Sequence, residues 1–322
     1  MADYYPDSYT NKKLAELEKK IVKVYKKAWR EVSKKAVKYF ATFTDRYEKE
    51  YESYKAGMYT DTEFNLWVQA QIGRGKRWED LRDDLANMIT TSNVIVADHI
   101  NETTPSVYSL NHNFEAYVIS EVHKNVAFNL IDEDTIKRLM RAKQPVVPFS
   151  IARINIPKDK QWNMNKLQKA LTQGILQGDS VGHMADRFQQ VTNMNRNSAI
   201  TNARTAITSA QNAGRYEAYH KAAQMGIEIN KKWRASKDFR TRASHQSLDG
   251  ETVPYYMAFS NGLMYPGDMT AYIPSEVYNC RCTMINNDVY SSGGKMRVRN
   301  ADGQWEVVDE MNYKEWLEWV QK

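Results

Sequence analysis

Four groups of residues able to do chemistry fall between positions 238 and 282: Asp238, the pair Arg240 and Arg242, His245 with Asp249, and Cys280 with Cys282. Thiolates from Cys280 and Cys282, joined by His245 and Asp249, would supply four ligands to a structural zinc. Against this, the C-x-C spacing is tighter than the usual gap between zinc-binding cysteines, and the chain has no other cysteine. Two small residues buried near a strand end would also account for the pair. A disulfide within C-x-C would close a strained, easily reduced ring. His245 and Asp249 stand four apart and would pair on a helix, a geometry suited to acid–base work. No nucleophile is fixed by spacing, however, and neither a Gly-rich phosphate loop nor a two-metal carboxylate cluster is evident. A polar tie that holds a loop explains these types as well as catalysis does. Arg240 and Arg242 offer forked donors to Asp238, Asp249 or Glu251.

The same stretch is basic. Residues 231–242 hold six Lys or Arg (Lys231, Lys232, Arg234, Lys237, Arg240 and Arg242) and one acid. Phosphate contact is an alternative use for them. Trp233 and Phe239 would then be stacking partners, or else core anchors.

The elements that must position these residues are mostly helical. Leu14, Leu17, Ile21, Val24, Ala28, Val32, Ala36, Phe40, Phe43, Tyr47, Tyr51 and Tyr54 recur every three or four residues, so 10–55 reads as one helix ending at Gly57. At 1.5 Å per residue it would extend roughly 65–70 Å. Asp61-Thr62-Glu63 opens a second helix, interrupted at Gly73 and Gly75 and resuming toward Ile89. Further helices are expected at 92–102, stopping before Pro105, and at 112–142. Residues 145–165, with three prolines, read as a connector. Helices follow over 163–178, from the Asp179-Ser180 cap, and over 195–225, the last closed by Gly226.

Beyond Gly226 the texture changes. Residues 227–235 alternate like a strand, Asp249-Gly250 signals a turn, and NCRCTMI suggests a closing strand. Residues 295–308 have hairpin form about Asp302-Gly303, and Trp316, Leu317, Trp319 and Val320 suit a short terminal helix. The fold class is therefore α+β, predominantly helical. The divisions are a helical arm or bundle (1–145), a connector (146–165), a compact module of helices and short strands (166–286), and a tail (287–322).

Composition supports a folded globular chain of 322 residues, 42% apolar and 26% charged. No apolar run approaches the roughly 20 residues a bilayer needs, and MADYYPDSYTNKK has no apolar signal core, which points to a start in the cytoplasm. Net charge is +6, yet residues 10–55 alone carry +7. The basicity is thus local, and Lys12, Lys19, Lys23, Lys26, Lys27 and Lys34, with Lys231 and Lys232, are candidate nucleic-acid contacts. The same lysines would equally serve as the solvated face of a long helix.

Taken in order, Ala203-Arg204-Thr205, Asn212-Ala213, the run WRASKDFRTRASHQSLDGETVP and Asn279-Cys280-Arg281-Cys282 resemble the phage head morphogenesis family, the minor capsid proteins of phage Mu F type. The resemblance spans roughly residues 165–285. It marks Arg204, Trp233, Asp238, Arg240, Arg242, His245, Asp249, Gly250, Asn279, Cys280, Arg281 and Cys282 as motif residues. One departure is Ala206, where members often carry an acid after the Arg-Thr pair. The resemblance implies a low-copy virion component rather than an enzyme, with no cofactor required. It implies assembly in the host cytoplasm without a membrane, then residence in the capsid at the portal vertex. Implied partners are the portal protein, the major capsid protein and packaged double-stranded DNA, with roles in head assembly and in DNA packaging, retention or ejection. The same domain occurs fused to toxin modules, for which few residues remain after Asn286. The competing reading is a metal-dependent hydrolase or nuclease using Asp238, His245, Asp249, Cys280 and Cys282, and a third is a free DNA-binding protein.

Overall fold

An apolar residue at every third or fourth position commits the first stretch to helix, and α1 runs Tyr5–Lys55. The computed structural model describes residues 5–73, 76–123, 126, 128–142, 147–177, 179, 181–287, 295–299, 305–309 and 315. Along α1, Leu17, Ile21, Tyr25, Val32, Ala36 and Phe40 are buried, while Lys12, Lys19, Lys23, Lys26, Lys27 and Lys34 are exposed. Helix α2 spans Asp61–Gly73. Its start is a capping box in which the Glu63 carboxylate accepts from the Thr60 backbone N–H at 2.9 Å and the Thr60 hydroxyl receives the Glu63 N–H at 3.2 Å.

Helix α3 runs unbroken over Lys76–Val122 with Pro105 inside it. The expected stop before Pro105 is thus overturned. Proline leaves the Asn101 carbonyl without its usual N–H partner, and that oxygen takes the Thr104 hydroxyl at a long 3.5 Å. Burial of Ile100, Val107 and Tyr108 on either side holds the two halves in line. The expected helix over 112–142 instead breaks after Val122. Helix α4 (Glu133–Arg141) starts anew, where Asp132 accepts the Thr135 N–H at 2.7 Å.

Helix α5 spans Ile156–Leu176, starting inside the expected connector. Asn155 accepts the Lys158 N–H at 3.1 Å, and Pro157 falls in the first turn, where its missing donor costs nothing. The two helices expected on either side of residue 190 are one, α6, Val181–Gln224. It ends as its sequence predicts. Gly226 adopts φ 84°, and the N–H groups of Gly226 and Ile227 return to the carbonyls of Ala223 and Ala222, a Schellman closure.

The strands are short. β1 (Asn230–Arg234) lies between β2 (Thr252–Pro254) and β3 (Thr283–Asn286) in an antiparallel sheet, with Lys231 opposite Val253 and Trp233 opposite Met284. Two small helices, α7 (Ala243–Ser247) and α8 (Pro274–Val277), fill the connections. β4 (Lys295–Arg299) and β5 (Trp305–Asp309) form the expected antiparallel hairpin. Its turn at Asp302-Gly303 and the helix expected around Trp316–Val320 lie outside the described residues. The protein is a predominantly helical α+β fold. No helix among the described residues is long and apolar enough to cross a membrane.

By packing, the chain sorts into two units. One comprises Met1–Glu18, His99–Ala152 and Ile200–Lys322; the other comprises Lys19–Asp98 and Arg153–Ala199. The second has an apolar core that includes Val32, Phe40, Trp78, Leu85, Leu171 and Phe188. It also holds a buried polar network in which Asn93 donates to Asp159 at 2.8 Å and to Asn195 at 2.7 Å, and accepts from the Tyr25 hydroxyl. In the first unit, α3 and α6 meet backbone to backbone at Gly214. A Cβ built there would lie 2.5 Å from the Tyr108 carbonyl oxygen and 3.1 Å from the His112 nitrogen. Gly214→Ala should therefore force the helices apart and cost about 1–3 kcal/mol, measured by urea unfolding.

Candidate functional site

One face of α6 holds the segment that carries Asn279-Cys280-Arg281-Cys282. Thr205, Thr208, Asn212 and Arg215 recur at intervals of three and four, and together they grip the backbone of 279–284. The Asn279 N–H donates to Thr205 Oγ1 at 2.9 Å, and the Thr208 hydroxyl donates to the Cys280 carbonyl at 2.8 Å. Asn212 is bidentate: its amide donates to the Cys282 carbonyl at 3.2 Å and accepts the Met284 N–H at 3.0 Å. Arg215 donates to the Met284 carbonyl at 2.7 Å. A segment entering β3 is thus held to the helix by side chains where a sheet partner would otherwise be needed. Asn279 takes φ 57°, which turns the chain so that Cys280 and Cys282 face inward.

Those two thiols meet His245. Its Nδ1 lies 3.4 Å from Cys282 Sγ and 3.6 Å from Cys280 Sγ, with all three side chains buried. On the opposite side of the ring, Nε2 lies 3.0 Å from Glu276 Oε2. That approach is off the line of the ring N–H, so it is a close contact rather than an aligned hydrogen bond. Glu276 is itself held by Ser244 at 3.2 Å and Asn261 at 3.3 Å. Trp233, fully buried in the sheet, packs edge-on against the imidazole at 5.1 Å. The side-chain hydrogen bond with Cys282 lowers the Cys280 thiol below its ordinary pKa, whereas burial pushes Cys282 well above it.

The charged motif residues pair differently from expectation. Asp249 does not face His245. It accepts the Ala235 N–H at 2.7 Å and pairs with the buried Lys237 ammonium, so it stands outside the His-Cys-Cys group. Turned toward Ala235 and Lys237, it stands neither as the acid–base partner of His245 nor within the group of side chains that could hold a metal. Burial nonetheless pushes the Lys237 pKa down, against the opposing pull of Asp249. Asp238 is forked by Arg281 rather than by Arg240 or Arg242. Burial alone would raise its carboxyl, but Arg281 and the Arg240 N–H outweigh that and hold it below the usual carboxylate range. Arg242 reaches the Tyr278 carbonyl, and Glu251 binds Ser260. Gly250 sits at φ 87° in the expected turn, and Arg204 pairs with Glu18 at 2.7 Å.

Lys231 is not a nucleic-acid contact. Its side chain is fully buried, donating to the Met264 carbonyl at 2.6 Å and lying over the rings of Phe259 and Tyr216 at 4.9 and 5.2 Å. The strand alternation that turns Trp233 inward turns Lys231 inward too. Lys232, on the other face, is half-buried. Trp233 is a core anchor, and Phe239 is exposed.

Sequence reasoning missed Glu276, Thr208 and Arg215. Arg215 is fully buried, donating also to Asn111 at 3.0 Å and to Asp7, with Glu115 at 3.8 Å. A polar residue every three or four positions through the Ala-rich stretch 203–222 was the available signal for Thr208 and Arg215. Nothing in the sequence singled out Glu276.

Comparison with known proteins places this region. Residues 165–285 match the model of the family described as Phage Mu protein F like protein. The chain is 24% identical over 319 residues to the minor head protein GP7 of Bacillus phage SPP1, covering 96% of this chain and 94% of GP7. It is 26% identical over 298 residues to the NAD(+)–arginine ADP-ribosyltransferase EFV of Enterococcus faecalis, covering 84% of this chain but 60% of that protein. It is also 28% identical over 171 residues to the uncharacterized protein YqbB of Bacillus subtilis, covering 47% of this chain and 55% of YqbB. No solved structure matches.

Burial of Lys231 has a measurable consequence. Loss of hydration lowers its ammonium from 10.5 to about 7, against the opposing pull of Asp268. Between those values the unfolded chain binds more protons than the folded one, so this group makes stability rise with pH across that window. The difference in unfolding free energy between wild type and Lys231→Met should shift toward the wild type by up to about 1.4 kcal/mol per pH unit. Urea unfolding of both proteins at pH 7, 8 and 9 measures it.

Proposed function

We propose, from the premise that residues 165–285 belong to the Phage Mu protein F like family, that this protein is a minor head protein of a tailed bacteriophage. The observation that carries the reading is the match to the SPP1 minor head protein GP7, which runs along nearly the whole of both chains. In this reading the protein is made in the host cytoplasm, joins the head at the portal vertex through contacts with portal and major capsid protein, and aids assembly and the packaging, retention or ejection of DNA.

The protein acts by structure rather than by catalysis. Supporting this, Asp238 and Asp249 are both committed to ion pairs, and the α6 side chains that define the motif spend their hydrogen bonds on the 279–284 backbone. The activity in the name of the Enterococcus protein stays with that protein, of which this chain covers 60%.

Contact with DNA rests on α1. Between positions 19 and 38 the helix has nine Lys or Arg against one acid, Glu31, and Lys19, Lys23, Lys26, Lys27 and Lys34 are all exposed. A row of charges on one solvent-facing helix surface suits a phosphate backbone, whose binding is driven by counterion release and carries no sequence preference.

Quantitative mass spectrometry of gradient-purified particles should find this chain at few copies relative to the major capsid protein, rising in step with portal. Its absence from finished particles overturns the reading. For DNA, replacing Lys19, Lys23, Lys26, Lys27 and Lys34 by Gln should weaken duplex binding. The dependence of log affinity on log salt should flatten by about 0.9 for each phosphate the helix ceases to neutralise. An unchanged slope removes α1 as the DNA surface.

A further inference from the structure

We propose that His245 Nδ1 and the Sγ atoms of Cys280 and Cys282 are three ligands of a tetrahedral zinc-type ion, with Glu276 holding the imidazole from behind.

The distances suit an ion. With zinc–sulfur bonds of about 2.3 Å and a zinc–nitrogen bond of about 2.0–2.1 Å, a tetrahedral site has N···S edges of about 3.5–3.6 Å. The observed edges are 3.4 and 3.6 Å. The three donor atoms all lie within 4.8 Å of one another, and no other such group of His, Cys, Asp or Glu occurs among the described residues.

Hydrogen bonding alone serves the cluster poorly. Cys280 Sγ accepts the Cys282 N–H at 3.4 Å, but both sulfurs also converge on Nδ1, whose lone pair accepts one donor well. A cation satisfies both sulfurs and the nitrogen together. A neutral ring with its proton on Nε2, the side where the Glu276 carboxylate lies 3.0 Å away, turns the Nδ1 lone pair toward the sulfurs. A carboxylate behind a ligating histidine is the usual outer partner of such sites. Here it is fixed in turn by Ser244 and Asn261.

The frame is also preset. Thr208 and Asn212 pin the carbonyls of Cys280 and Cys282 to α6, and Trp233 walls the imidazole. On ligation each thiol gives up its proton to solvent and forms a metal–sulfur bond, and no electrons move. This group supplies three of the four ligands of a tetrahedral ion. The inference is independent of the head-protein reading, since it concerns what holds the module together.

The test uses the full chain without an affinity tag, purified under reducing conditions, stripped with a chelator and titrated with Co²⁺. The expected result is saturation at one equivalent, with sulfur-to-cobalt charge-transfer absorption, visible bands of tetrahedral intensity, and bleaching by Zn²⁺. Cys280→Ser and Cys282→Ser should each reduce the charge-transfer intensity. Glu276→Gln should keep the spectrum and weaken binding by about 10–100-fold. Where a cysteine variant fails to fold, wild type and Glu276→Gln decide. A folded wild-type chain showing no such absorption, with both thiols reactive after denaturation, overturns the proposal. So does Co²⁺ binding without sulfur charge transfer, or a Cys280–Cys282 disulfide in protein isolated without reductant.

Discussion

Residues 279–286 would be a poor piece of structure alone: one strand of four residues preceded by a turn with a left-handed asparagine. Their backbone polar groups must be satisfied where water is excluded, and unpaired they would cost about 1–3 kcal/mol each. Thr205, Thr208, Asn212 and Arg215 meet that demand from a single helix face. Everything the module presents follows from this ladder. It sets the inward aim of Cys280 and Cys282, it fixes β3 against β1, and through β1 it fixes Trp233 behind His245.

Arg215 extends the same constraint. Its guanidinium, with no exposed surface, reaches Asp7 on α1, Asn111 and Glu115 on α3, and the Met284 carbonyl of β3. Burying such a charge is tolerable only when its donors are matched. The planar fork of an arginine can address several elements at once where a lysine could not. Gly214, its neighbour, completes the arrangement by letting α6 approach the α3 backbone at Tyr108. Tight helix contact and a buried charge network thus lie side by side on α6.

Much of this was legible. Helical periodicity placed the buried stripe of α1, Gly226 closed α6, and the alternation of 227–235 located β1, because each is a local rule of backbone geometry. The ordered motif resembles the family whose model residues 165–285 match, and the structure explains that motif as a packing device: Thr205 and Asn212 hold backbone, and Arg281 holds Asp238. His245 was matched with Asp249 by proximity in sequence, whereas folding set it against Glu276 and gave Asp249 to Lys237.

By itself, then, the sequence determined the helical character, the short antiparallel strands and the family resemblance of residues 165–285, since these depend on local periodicity, turn chemistry and motif order. Tertiary structure decided the rest. Burial on both flanks carried α3 through Pro105, against proline's local preference for a break. Strand alternation sent Lys231 inward despite its charge. Which acid meets which base was settled by contacts between residues tens of positions apart, and no local pattern encodes those distances.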